Sequence, residues 1–108
     1  MKKTFGEYIR TLRNESELTL TQLAAKLDLD SANLSKIENG IREFDDKRLE
    51  KLADVFNLDL EKLKTEFYSD FIAKKLYEVD CDNQVLLLAE EKIKYLKQKN
   101  LIQGKLKF

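Results

Sequence analysis

"LTLTQLAAKLDLDSANLSKIENG", residues 18–40, is the stretch on which the reading of this chain turns. Leu23, Ala24 and Leu27 recur at helical spacing, and so do Leu34 and Ile37. "TLTQ", Thr19 to Gln22, is a capping-box pattern, in which hydroxyl and amide each satisfy a backbone donor of a starting helix. Asp30 caps a second helix running from Ser31 to about Asn39, and Gly40 stops it. Only "DLD", residues 28–30, joins the two. So tight a turn makes the helices cross steeply, with the small Ala24 allowing close approach. That geometry lets one helix brace across phosphates while the next enters a major groove.

Working outward, apolar residues keep spacings of three and four, there is no proline, and there are three glycines. The pattern is all-α. A first helix is expected over 5–14, with Phe5, Ile9 and Leu12 on one stripe. Asp45 caps a fourth over 46–56, whose inner face is Leu49, Leu52, Ala53 and Phe56. Asn57 takes the left-handed conformation that stops it. Asp59 caps a fifth helix that starts at Leu60 and includes Leu63. Beyond it, "FYSDFIAKKLYEV" (67–79) reads as an aromatic-rich amphipathic helix and "DCDN" (80–83) as a turn. "QVLLLAEEKIKYLKQK" (84–99) is a longer helix, and "NLIQGKLKF" (100–108) a frayed or docking tail. The expected organisation is a five-helix domain over 1–66 and a C-terminal helical hairpin over 67–108.

Composition narrows the chemistry. At 43% hydrophobic and 37% charged residues, the chain is too apolar for disorder and too polar for a membrane span. Its longest apolar run, Val85 to Ala89, is far short of a bilayer's thickness, and no apolar segment follows Lys2 and Lys3 to suggest secretion. One cysteine, Cys81, excludes an internal disulfide and a cysteine-based metal cage. The lack of histidine removes the commonest general base and the commonest metal ligand. The acidic neighbours Asp45–Asp46 and Glu90–Glu91 point in different directions on a helix. A cytoplasmic protein without cofactor or metal, and not an enzyme, is therefore expected.

Charge poses the harder question. The chain carries 20 Lys+Arg and 20 Asp+Glu, and residues 1–66 hold 12 basic against 14 acidic side chains. A non-specific nucleic-acid binder would be strongly basic. Any contact with DNA must rest on where single charges stand.

The opening stretch, followed by "RLEKLADVFNLDLEKL" (48–63), resembles the Cro/C1-type, phage-repressor-like helix-turn-helix regulators of the XRE family. The likeness spans about residues 5–63 and implies a lambda-repressor-like fold in a sequence-specific transcriptional regulator. It implies an ion pair between Arg13 and Glu38, which also follows from elementary electrostatics, since neither charge should be buried alone. It implies phosphate contacts from Asn39 and Arg42. Bases fall to Ser31, Ala32, Asn33 and Lys36, on the exposed face of the third helix: Asn pairs with adenine, Lys with guanine, Ala with a thymine methyl. Thr21 and Gln22, at the start of the second helix, are further phosphate candidates. Four departures stand out. Leu20 and Ile41 replace polar or basic residues common in the family, Asp28 replaces a turn glycine, and Phe44 replaces a proline. Asp28 and Asp30 also add negative charge, so binding per protomer is expected to be weak.

In the hairpin, Phe67, Phe71, Leu76 and Val79 form one stripe, and Phe71, Leu86, Ala89, Ile93 and Leu96 are the expected dimer interface. Tyr68, Tyr77 and Tyr95 suit such a surface. A homodimer compensates for weak single sites by making the second contact intramolecular. Its operator is a near-palindrome with half-sites about 34 Å apart. The alternative is an antitoxin-like or other interaction module whose C-terminal part binds a partner protein.

Overall fold

With no proline and three glycines, this chain ends most of its helices by other means. The computed structural model describes the backbone of residues 3–103 and the side chains of residues 3–100. The elements are α1 (Phe5–Glu15), α2 (Leu20–Lys26), α3 (Ser31–Glu38), one turn of 3₁₀ helix (Asp46–Arg48), α4 (Leu49–Phe56), α5 (Leu60–Glu78) and α6 (Asn83–Gln103). Five of these six α-helices close on a left-handed residue: Glu17, Asp28, Gly40, Asn57 and Asp80. Each makes the same paired bonds. At the end of α3, for example, Gly40 N donates to Ile37 O and Ile41 N to Lys36 O, the Schellman arrangement. Only Gly40 enters that region without steric cost; Asp and Asn tolerate it, and Glu17 does so least readily.

The starts are equally local. Thr4 and Glu7 form a capping box on α1, Thr19 and Gln22 one on α2, and the Asp30 carboxylate accepts from Asn33 N on α3. The backbone N–H of Thr4 holds the Glu7 carboxyl below its ordinary range. Asp45 caps the 3₁₀ turn rather than α4 itself, which begins three residues later at Leu49.

The chain divides into two compact units, Met1–Ile72 and Ala73–Phe108. In the first, Ile9, Leu23, Leu27, Leu34, Leu52 and Leu63 are the fully buried large side chains. Each such burial stabilises by about 1.5–3 kcal/mol. Phe5 centres an aromatic cluster with Phe44 at 5.6 Å and, edge-on, Phe67 at 5.2 Å. Phe44 is thus a core residue.

One expected boundary moves. The fifth helix and the first hairpin helix are a single helix, Leu60–Glu78, so position 66/67 lies inside it. Nothing between Thr65 and Tyr68 caps or breaks a helix. Phe67 follows Leu63 by one turn and joins the same core, which extends the first unit past residue 66. In the second unit, Asp80 turns the chain and the Asp82 carboxylate accepts from Gln84 N at the start of α6. The expected tail at 100–108 partly joins α6, which runs to Gln103; the rest lies outside the described residues. Among the described residues, no helix is long and apolar enough to cross a membrane.

Candidate nucleic-acid interface

Both acids of the turn between α2 and α3 have a structural task. Asp28 adopts φ 56°, a conformation Asp accepts more readily than most residues. Its carboxylate pairs with the Lys51 ammonium of α4. Arg48 closes the other side, donating from Nε to Leu27 O at 3.0 Å and from Nη2 to Asp28 O at 3.2 Å. Its Nη1 reaches Asp45 Oδ2 at 3.0 Å. The Lys51 bond, reinforced by its charge and by nearby Arg48, holds the Asp28 carboxyl below its ordinary range. The second acid, Asp30, is spent on capping: Oδ1 accepts from Asn33 N at 2.7 Å and Oδ2 from Asn33 Nδ2 at 3.1 Å. Of the two negative charges expected at the turn, that of Asp28 is paired with Lys51, while that of Asp30 stands at the start of α3, where it caps the helix. Arg48 and Lys51 lie 20 or more residues from the Leu27 and Asp28 groups that they bind, so nothing in the local sequence pattern marks them as closing this turn.

At the other end of α3, Glu38 is 3% exposed and lies between two arginines. Arg13 grips it twice, Nε to Oε2 at 2.8 Å and Nη2 to Oε1 at 3.0 Å, and also donates to Leu18 O at 3.1 Å. The bonds to Glu38, with its charge, raise the Arg13 pKa further. Arg10 adds a second ion pair to Glu38, 3.3 Å from Nε to Oε1, and its Nη2 donates to Asn39 Oδ1. Arg10 was missed in the sequence, although it lies one turn before Arg13 on the same face. The Asn39 amide also donates to Ser35 O at 2.9 Å. Asn39, a phosphate candidate, is held from two sides and stays exposed.

Between these anchors, Leu34 and Ile37 are buried, while Ser31, Ala32 and Lys36 are exposed and Asn33 is partly so. Gln22 Oε1 is engaged by Thr19 N at 2.9 Å; Thr21 and Gln22 are both exposed at the start of α2. Leu20 is partly buried and packs against the core, whereas Ile41 is 75% exposed. Arg42 does not lie out along the flank: the turn at Gly40 folds the chain back, and Arg42 Nη1 donates to Asn33 Oδ1 at 3.1 Å. The structure thus gathers Ser31, Ala32, Asn33, Lys36 and Arg42 along α3, with Asn39 at its far end.

Two short helices braced at a fixed angle, with one polar face exposed, define a helix-turn-helix unit. A helix-turn-helix family model matches residues 9–63, just over half of the chain, and the chain belongs to that family, in its Cro/C1 (XRE) branch of transcriptional regulators. The HTH-type transcriptional repressor RghR of Bacillus subtilis (strain 168) is 32% identical over 114 residues, covering 93% of this chain and 84% of its own. An uncharacterized HTH-type transcriptional regulator of the same organism, RghRB, is 42% identical over 60 residues, 55% of this chain and 43% of that one. The solved structure of the clp gene regulator ClgR from Corynebacterium glutamicum matches with a TM-score of 0.51 at 20% identity. It covers 79% of this chain and 88% of that one, a likeness of fold.

Proposed function

We propose that this chain is a sequence-specific repressor that inserts α3 into the major groove and binds a near-palindromic operator as a homodimer. The observation that carries the reading is the braced turn. Arg48 and Lys51 tie the turn that leads into α3 to the start of α4, and Arg10 and Arg13 fix the end of α3 through Glu38. A helix held at both ends presents Ser31, Ala32, Asn33 and Lys36 in a fixed register, which base readout requires. Thr21, Gln22 and Asn39 supply phosphate contacts. Similarity to a named repressor over 93% of the chain supports the same role.

Dimerisation is supported by α6. Its described side chains include no buried residue, and Leu86, Leu87, Leu88 and Ile93 are all 47–57% exposed. Apolar surface of this extent calls for a partner. A second copy, burying Phe71, Leu86, Ala89, Ile93 and Leu96, also answers the charge problem, because two weak sites joined in one body bind as one strong one. A different protein covering that surface is the second reading, favoured by the same exposed residues.

The test is binding of the purified chain to DNA upstream of its own coding sequence, titrated with salt. The expected result is preference over random DNA with a modest negative salt slope, because few phosphates are neutralised. Sedimentation at micromolar concentration should give a dimer. No sequence preference, with tight co-purification of a co-encoded protein, would overturn the repressor reading in favour of the partner module.

A further inference from the structure

We infer that Arg42 reads a base, a guanine, and that Asn33 acts by positioning it. This rests on the DNA-reading role proposed above and departs from it at two residues: Arg42 moves from the phosphate contact that the family resemblance implies to a base, and Asn33 from direct base reading to positioning.

The geometry is set by the end of α3. Gly40, at φ 76°, reverses the chain, and Ile41 N and Arg42 N both donate to Lys36 O, at 2.9 and 3.3 Å. The backbone after Gly40 therefore runs back along α3 instead of away from it. Arg42 reaches the first turn of the helix, nine residues earlier in sequence, and its Nη1 donates to Asn33 Oδ1 at 3.1 Å. The first turn of a recognition helix is the part that meets base edges. A guanidinium has five donors in a planar fork, so one bond to Asn33 leaves the others for a second partner. Guanine O6 and N7 are the acceptors that such a fork fits bidentately.

Asn33 is correspondingly ill placed to read on its own. Its Oδ1 accepts from Arg42, while its Nδ2 donates to Asp30 Oδ2 at 3.1 Å, and its backbone N–H is bound to the same carboxylate. Pairing with adenine needs both amide atoms, and each already holds one partner, so the amide plane is set by Asp30 and Arg42 and not by a base. Asp30 fixes which way the amide faces, and Asn33 then holds Arg42 over the reading face. The order Asp30, Asn33, Arg42 is a chain of orientation that ends in the residue with the most unspent donors, four of its five N–H groups.

Selection of DNA from a random pool, run in parallel on the full chain and on Arg42→Ala, Asn33→Ala and the double variant, tests this. The expected result is that the unaltered protein enriches a motif with guanine at one position per half-site. Arg42→Ala loses preference there by about tenfold or more, keeping the rest of the motif. Asn33→Ala weakens the preference at that same position, and the double variant loses nothing further. The inference is overturned if Arg42→Ala keeps the whole motif, weakens all sequences alike and lowers the salt slope by about 0.9 per protomer, the mark of a phosphate contact. It is equally overturned if Asn33→Ala loses preference at a different position. An unaltered protein that enriches no motif overturns the DNA-reading role itself, a failure distinct from either. Arg42 is exposed, so a matching thermal midpoint checks that the fold is kept.

Discussion

Gly6 of α1 lies so close to Ile37 of α3 that a Cβ at Gly6 would come within 2.3 Å of the Ile37 carbonyl oxygen. The Glu38 carbonyl oxygen would stand at 2.9 Å. Both obstacles are backbone at the end of the reading helix, and neither can swing aside as a side chain would. This contact lets α1 lie against α3 closely enough for Arg10 and Arg13 to reach Glu38.

Gly6→Ala should therefore displace α1 from α3. The expected loss is about 1–3 kcal/mol, the range of overpacking in a close-packed interior, read as a lower denaturation midpoint. Because the displaced element carries Arg10 and Arg13, DNA affinity should fall as well. An unchanged midpoint would show that the helices separate without cost.

The Glu38 cluster should be asymmetric. Glu38→Ala removes the one acid between two guanidiniums, and loss of a partner from a buried pair costs about 3–5 kcal/mol. The Arg13 side chain is 14% exposed and that of Arg10 is 40%. Arg10→Met should cost well under about 1 kcal/mol, as solvent-screened pairs do, and Arg13→Met clearly more. Chemical denaturation of the three variants checks the order.

Asp28→Asn keeps a residue that tolerates the left-handed conformation and removes only the charge facing Lys51. The folded pKa of Asp28 is depressed from an ordinary 3.8. Its contribution is therefore present above that value and is lost as pH falls through the lower folded one. The variant should be slightly less stable than the unaltered chain at pH 7. The difference should close in strong acid. Thermal midpoints measured from pH 7 down to about 2 would reveal it; a gap that persists in acid would mean that the Lys51 pair is not its source.

Ile93→Glu and Leu86→Glu place charge on the exposed apolar side of α6. Both should convert a dimer into a monomer in sedimentation. Affinity for a two-half-site operator should fall at least about 100-fold through lost effective concentration, while affinity for a single half-site should hardly change.

Lys36→Ala should relax preference at one base position by about 1–3 kcal/mol, as loss of a direct base contact does. Selection on the variant would show the affected position. A uniform loss across all sequences would move Lys36 to the phosphates.

The sequence by itself determined the helices and their ends. Thr19 with Gln22, Asp30 at the start of α3, Gly40 and Asn57 act on groups within a few residues, where covalent connectivity leaves little choice of partner. The core followed from the same cause, since Leu23, Leu34, Leu52 and Leu63 recur at the helical period. Where local signals were silent, the reading was wrong or blank. The continuity of α5 was legible in the absence of a cap or breaker near Phe67 and in its spacing from Leu63, but that Phe67 is interior was decided by the aromatic cluster with Phe5 and Phe44. Tertiary structure alone decided that Arg48 and Lys51 close the turn, that Arg10 joins Arg13 on Glu38, and that Arg42 returns to Asn33. Each of these pairs bridges a chain reversal or two separate helices. Which long, charged side chain meets which partner then depends on crossing angles and helix separations that a few buried contacts set, with Gly6 foremost among them.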